Sequence, residues 1–140
     1  MTSTAVDALR RTLGAEHAAI YGYGVVGARL TGAGAAAALA AYDAHRARRD
    51  RLVALLARAG GEPVPAEPAY ALPSPVTDAA AAVRLAGNLE LGVAACYADL
   101  VAAGADALRA LAATALQEAA VRAASWRGRG VPFPGLPERA

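Results

Sequence analysis

The segment between Glu62 and Pro75 is the strongest constraint on how this 140-residue chain can fold. Its sequence, EPVPAEPAYALPSP, contains five prolines. Proline fixes its own φ angle and has no amide hydrogen to donate, so a segment this rich in proline forms neither a helix nor a central β-strand. We therefore predict an extended connection here, between two alanine-rich halves of the chain.

The composition indicates that both halves are helical. Hydrophobic residues make up 56% of the chain and are mostly alanine, whereas Phe and Met occur once each. Alanine favours helices, and the β-branched and aromatic residues that favour strands are few or scattered. A chain of this length can bury one substantial core without a disulfide or a structural metal. We predict a single all-α domain over residues 1–140, folded as an antiparallel four-helix bundle.

Apolar residues spaced by three and four positions predict four amphipathic helices. Ser3 or Thr4 is available as the first N-cap, and Asp106 as the last. Ser74 is a suitable N-cap for the third helix, with Pro75 at its first helical position. The proline-rich connection is long enough to cross the full length of the bundle between the second and third helices. The predicted helices are about 3–30, 35–59, 75–103 and 106–126, followed by an extended tail at 128–140.

Polar residues interrupt the apolar row of each predicted helix. Glu16 lies on the core row of the first helix, His45 on that of the second, and Glu90 on that of the third. Burying a polar group without a partner is costly, so these residues need one another. Three tyrosines share their rows and can donate hydroxyl hydrogen bonds to the carboxylates. The predicted buried polar network comprises Glu16, Tyr23, Tyr42, His45, Arg48, Arg49, Glu90, Tyr97, Glu118 and Arg122.

The spacing of the polar residues is similar in the two halves of the chain. Glu16 precedes His45 by 29 residues, and Glu90 precedes Glu118 by 28 residues. The segments AEHAAIYGYGVVGARL, HRARRDRL, NLELGVAACYADL and WRGRGVPFPGLPER resemble an uncharacterised ferritin-like domain family of GC-rich Gram-positive bacteria. The resemblance covers essentially the whole chain and is most specific in the last of these segments. It implies a ferritin-like bundle.

The ferritin-like resemblance also implies a two-metal site, but this chain departs from the usual ligands. In the metal-binding bundles, one helix of each pair supplies a Glu and its partner supplies Glu-x-x-His, which together hold iron or manganese. This chain has HRAR from His45 on the second helix and EAAV from Glu118 on the fourth. Both ligand histidines are therefore missing from their expected positions. The candidate metal ligands that are left are Glu16, His45, Glu90 and Glu118.

Arginines compete with a metal for these carboxylates. Arg48 stands where one ligand nitrogen would lie, and Arg49 and Arg122 are on the core rows beside the site. A guanidinium group neutralises the same carboxylates that a metal cation would bind. The favoured hypothesis is a metal-free Glu/Arg/His network in a protein without catalytic activity. The alternative is a metal-dependent oxidoreductase or a storage-related protein that binds iron or manganese at the four candidate ligands.

The sequence predicts neither a nucleic-acid partner nor a membrane span. The net charge of +2 is too small to predict binding to a nucleic acid, and the arginines of the second helix are spread around its cylinder. The longest uncharged stretch near the middle of the chain, Leu30 to Tyr42, is too short to span a bilayer. We expect a cytoplasmic protein. The high apolar fraction favours a third hypothesis, a protein-interaction module that forms a homodimer.

Several further residues are expected to have structural roles. The single cysteine, Cys96, excludes an internal disulfide and lies in a setting typical of a buried small side chain. His17 points to a different face from Glu16 and is expected at the surface or the rim. Glycines in the first helix cost helix propensity, and we expect them to allow close packing of a neighbouring helix. These glycines are Gly22, Gly24 and Gly27.

Overall fold

The computed structural model describes residues 1–128 and Gly130, and within these residues it contains four α-helices and no strand. The predicted all-α fold is confirmed. The predicted tail at 128–140 lies, apart from Gly128 and Gly130, outside the described residues. The helices are α1 (Ser3–Gly27), α2 (Gly32–Arg58), α3 (Ala79–Ala103) and α4 (Asp106–Arg127).

Side-chain caps determine where α1 and α3 begin. The hydroxyl of Thr2 accepts a hydrogen bond from the amide of Ala5 at 3.1 Å, so Thr2 is the N-cap of α1 and the two predicted caps are wrong. A carboxylate oxygen of Asp78 accepts from the amide of Ala81 at 2.7 Å. Asp78 therefore starts α3 later than predicted, and the assignment of Ser74 as its N-cap is wrong. A side-chain oxygen that satisfies a free amide of the first turn stabilises a helix start.

The start of α4 also differs from the prediction. Ala105 occupies the N-cap position, and Asp106 is the first helical residue, with φ of 48°. Aspartate tolerates this left-handed conformation better than most residues. Its carboxylate lies in the first turn, where the positive end of the helix dipole favours negative charge. Asp106 thus supports the start of α4 without being its N-cap.

The helices enclose two apolar clusters separated along the bundle. α1 packs against α2 and α3, and α3 also packs against α4. The first cluster is rich in leucine and includes Leu9, Leu52 and Leu100. The second includes Tyr23 and Leu85 together with buried alanines. The polar positions of the helices fall between the two clusters, at mid-height in the bundle.

Among the glycines of α1, Gly22 lies closest to α3. A Cβ atom built on Gly22 would lie 2.5 Å from Cδ1 of Leu89. Gly24 and Gly27 have no such neighbour within 4 Å. The prediction that all three glycines serve close packing is therefore wrong for these two, because they face away from the adjacent helix.

The connection between α2 and α3 lies along α1 and contains no helix or strand. The Nε2 atom of His17 is 2.9 Å from the carbonyl oxygen of Val64, and the ring centroids of Tyr21 and Tyr70 are 5.8 Å apart. Farther along, Leu72 packs against the second apolar cluster. His17 is buried beneath this segment, so its predicted position at the surface or rim is wrong.

α3 is apolar enough for a membrane span by length and composition, and it is the one such helix among the described residues. It is also a core helix that packs on both α1 and α4. Its residue Glu90 is fully buried, and half-buried Cys96 has a thiol whose pKa is raised by burial. Because a core helix of a bundle meets the same criterion, the composition of α3 is weak evidence for a membrane span.

Candidate functional site

A histidine bonded to two carboxylates lies at the centre of the bundle. The Nδ1 atom of His45 is 2.5 Å from Oε2 of Glu16, and its Nε2 atom is 2.9 Å from Oε1 of Glu90. All three side chains are 0% exposed. Ionised carboxylates only accept hydrogen bonds, so both ring nitrogens donate, which is the bonding pattern of an imidazolium. His45 thereby joins α1, α2 and α3 through one side chain.

The two carboxylates determine the protonation of His45. Burial is the largest single influence and by itself lowers the pKa of His45, because it disfavours the charged ring. The hydrogen bonds to Glu16 and Glu90 and their negative charges together outweigh burial and raise the pKa to about 9. The pKa of Glu90 is lowered in turn by His45 and Arg122, although burial alone would raise it. The centre is therefore ionic at neutral pH.

Two tyrosines bond to the same carboxylates in a reciprocal arrangement. The hydroxyl of Tyr97 donates to Oε1 of Glu16 at 2.5 Å, and that of Tyr23 donates to Oε1 of Glu90 at 2.6 Å. Each tyrosine lies seven residues after the glutamate of its own helix but bonds to the glutamate of the other helix. α1 and α3 are therefore antiparallel. Burial and then the nearby carboxylates raise the pKa of both phenols, which keeps them protonated as donors.

α4 adds an arginine and a tryptophan to the network. The Nε atom of Arg122 donates to Oε1 of Glu90 at 3.0 Å, and Nε1 of Trp126 donates to the hydroxyl of Tyr23 at 2.9 Å. The two carboxylates are thus balanced by one imidazolium and one guanidinium. Trp126 was not among the members predicted from the sequence. Trp126 lies four residues after Arg122 and therefore on the same face of α4, which could have predicted its membership.

A second ion pair joins α2 to α4 outside the centre. The Nη2 atom of Arg48 donates to Oε2 of Glu118 at 2.7 Å. The side chain of Glu118 is 43% exposed, so its predicted place among the buried carboxylates is wrong. This pair lies close enough to Tyr97 for both charges to influence the pKa of its phenol. The pair therefore lies at the edge of the network, away from the bonds to Glu16 and Glu90.

Two other predicted members are directed away from the buried carboxylates. Arg49 pairs with the exposed Asp50, with 2.8 Å between nitrogen and oxygen. The ring of Tyr42 lies beneath the guanidinium of Arg46, with 5.5 Å from Cζ to the ring centroid. Both predictions were wrong because a step of three or four residues rotates a position about 40° to 60° around the helix axis. From His45 at the centre, that rotation is enough to reach the rim.

The predicted metal ligands are bonded to one another and to tyrosine and arginine side chains in this arrangement. Both ring nitrogens of His45 donate hydrogen bonds and so have no lone pair for a metal, and each oxygen of Glu16 already accepts one hydrogen bond. Within the described residues, no group of three or more His, Cys, Asp or Glu side chains is placed to hold a metal ion. The Oε2 atom of Glu90 is the one buried side-chain oxygen or nitrogen there without a partner. A single free oxygen suits a water molecule better than a metal that needs four or more ligands.

Fold and site together define an all-α four-helix bundle with an ionic network at mid-height. The chain belongs to the family described as Domain of unknown function (DUF4439), whose model matches residues 8–138. No curated protein matches the sequence. The description of this family names no activity.

A solved structure supports the same fold. The chain is similar to the crystal structure of a conserved hypothetical protein, rv2844, from Mycobacterium tuberculosis, with 36% sequence identity and a TM-score of 0.87. The match covers 91% of this chain and 98% of that chain. The two proteins therefore share their architecture over nearly their whole lengths.

Proposed function

We propose that this protein is a ferritin-like bundle that works without a metal, as a non-catalytic scaffold held together by its ionic network. The observation that carries the proposal is the bonding of His45. Both of its ring nitrogens donate to buried carboxylates, which leaves no imidazole lone pair for a metal. Imidazolium and the guanidinium of Arg122 together supply two positive charges, as many as one divalent cation would.

The course of the chain supports the ferritin-like assignment. A short turn makes α1 and α2 antiparallel, and the reciprocal tyrosine bonds make α1 and α3 antiparallel. α2 and α3 then run in the same direction, so the connection between them has to return along the bundle. The contacts of Val64 with His17 and of Tyr70 with Tyr21 support such a crossover. A long crossover of this kind is typical of ferritin-like bundles.

Burial of the centre supports a non-catalytic role. Glu16, His45 and Glu90 are 0% exposed, so a substrate would reach them only if the helices separated. The alternative function, a metal-dependent oxidoreductase or storage-related protein, would require His45 to lose its proton and Arg122 to leave Glu90. Both changes would break buried charge-assisted hydrogen bonds, which an entering cation would have to replace.

Metal analysis tests this proposal. We expect protein purified without chelators, after growth with added iron or manganese, to contain well below one metal ion per chain by elemental mass spectrometry. Because no ligand would be lost, Glu90→Ala and the exposed control Glu62→Ala are expected to give the same low value. Near-stoichiometric metal in the unaltered protein that is lost in Glu90→Ala but kept in Glu62→Ala would overturn the proposal.

A homodimer is the second part of the proposal. Two large apolar side chains on the helices are exposed, Leu39 at 61% and Val121 at 68%, and a second copy could cover them. We expect light scattering at micromolar concentration to give twice the chain mass of 14.0 kDa. Leu39→Asp or Val121→Asp should shift the mass toward the monomer, whereas Ala54→Asp, on an exposed part of α2, should not. A monomeric mass for the unaltered protein would count against the dimer.

A further inference from the structure

A surface pocket between the start of α3 and the end of α4 brings two arginines beside the only tryptophan of the chain. Its volume is about 440 Å³. It is separate from the buried ionic centre and shares only its outermost member, Trp126. The residues that line it are Val83, Arg84, Asn88, Trp126 and Arg127.

The pocket carries positive charge that the described residues do not neutralise. Neither Arg84 nor Arg127 has a carboxylate of residues 1–128 within 4.0 Å. On α3, the carboxylate of Glu90 is already bonded to His45 and Arg122. A guanidinium binds a phosphate or carboxylate through two parallel hydrogen bonds, and two guanidiniums at one pocket favour an oxyanion.

Gly87 places Arg127 in this pocket. A Cβ atom built on Gly87 would lie 2.9 Å from Cγ of Arg127, so the stem of Arg127 crosses the α3 backbone at this point. A larger residue would push the stem away. Arg127 lines the pocket together with Arg84 and Asn88, which lie on either side of Gly87 in the sequence. The carboxamide of Asn88 adds a donor and an acceptor to the same wall.

Trp126 lines the pocket and is held in place by Tyr23. Its Nε1 atom donates to the hydroxyl of Tyr23, and the two ring centroids are 6.4 Å apart. The indole is therefore held by the core while it lines the pocket. A fixed aromatic ring is a suitable stacking surface for the planar ring of a ligand, as in proteins that stack nucleobases.

We propose that this pocket binds a phosphate monoester that carries a planar ring, of the size of a mononucleotide. Arg84 and Arg127 hold the phosphate, Asn88 bonds to a polar edge of the ligand, and the ring stacks on Trp126. The volume falls in the ordinary range for small-molecule sites. This site does not depend on the proposed metal-free scaffold, because no ionic group of the buried network contacts the ligand.

Titration of the ¹⁵N-labelled full chain with adenosine monophosphate tests the proposal by nuclear magnetic resonance. The single tryptophan gives one indole N–H signal, which reports on the pocket directly. We expect saturable shifts of this signal and of the backbone amides from Val83 to Asn88. Adenosine and inorganic phosphate each lack one half of the ligand and should bind at least about tenfold more weakly, since a charge-assisted hydrogen bond or a stacked ring is worth that much.

Arginine variants inside and outside the pocket distinguish binding in the pocket from general attraction to positive charge. Arg84→Ala and Arg127→Ala should each weaken binding of adenosine monophosphate by about tenfold or more. Arg58→Ala removes the same charge from the exposed end of α2 and should leave the affinity unchanged. Three results would overturn the proposal: no saturable shift at millimolar adenosine monophosphate, equal binding of inorganic phosphate alone, or equal weakening by Arg58→Ala.

Discussion

Replacing His45 with alanine is expected to lower the free energy of unfolding by about 3 to 5 kcal/mol, the usual cost of removing one partner from a buried ionic group. The substitution would leave Glu16 and Glu90 as neighbouring negative charges that are 0% exposed. It would also remove the one side chain of α2 that hydrogen-bonds to both α1 and α3. Denaturant unfolding near neutral pH, followed by circular dichroism, measures the effect.

Two control variants give smaller expected losses of unfolding free energy, with which this cost can be compared. His17 is the other histidine and makes one hydrogen bond, to a carbonyl oxygen, so His17→Ala should cost about 1 kcal/mol. Arg48→Ala breaks a half-exposed ion pair, for which a cost of about 0 to 1 kcal/mol is typical. If His45→Ala cost no more than these two variants, the buried network would not be holding the helices together.

The stability of the protein is expected to fall as the pH rises from 6.5 through about 9. The pKa of His45 is raised from 6.5 to about 9 in the folded chain, so the folded state binds this proton more tightly than the unfolded state does. Its contribution is fully present below pH 6.5 and is lost as the pH rises through about 9. A shift of this size corresponds to about 3 kcal/mol.

At acid pH the stability changes in the opposite direction, falling as the pH falls. The pKa of Glu90 is lowered from 4.5 in the folded chain, so its contribution is present above that value and is lost as the pH falls through the lowered pKa. The contribution of Glu90 is present above about pH 4.5, and that of His45 is fully present below pH 6.5. We therefore expect the greatest stability between about pH 4.5 and pH 6.5.

Denaturant unfolding at a series of pH values from about 6 to about 10 measures this dependence. His45→Gln removes the titrating group, so the slope between pH 6.5 and about 9 should largely disappear. His17→Gln should keep the slope of the unaltered protein. A flat profile for the unaltered protein over this range would mean that His45 is not held as an imidazolium.

Periodicity within each helix was enough to predict much of the molecule. The spacing of apolar residues predicted four helices, and the prolines from Pro63 to Pro75 predicted the irregular connection. The same spacing assigned Glu16, His45 and Glu90 to the interior, because a helix repeats its faces every 3.6 residues. Helix ends were predicted less accurately, since Thr2 and Asp78 act as caps through single hydrogen bonds that other nearby side chains could also have made.

Only the tertiary structure decided which polar groups meet. A single-helix pattern gives the face on which a residue lies but neither the height nor the rotation of one helix against another. Tyr23 therefore bonds to Glu90 of α3 instead of Glu16 of its own helix, and Arg122 reaches the centre while Arg49 turns to Asp50. The sequence by itself determined that charges would be buried. The packing of four helices determined that His45 lies between two carboxylates, because a hydrogen bond depends on distances of a few tenths of an ångström that periodicity does not specify.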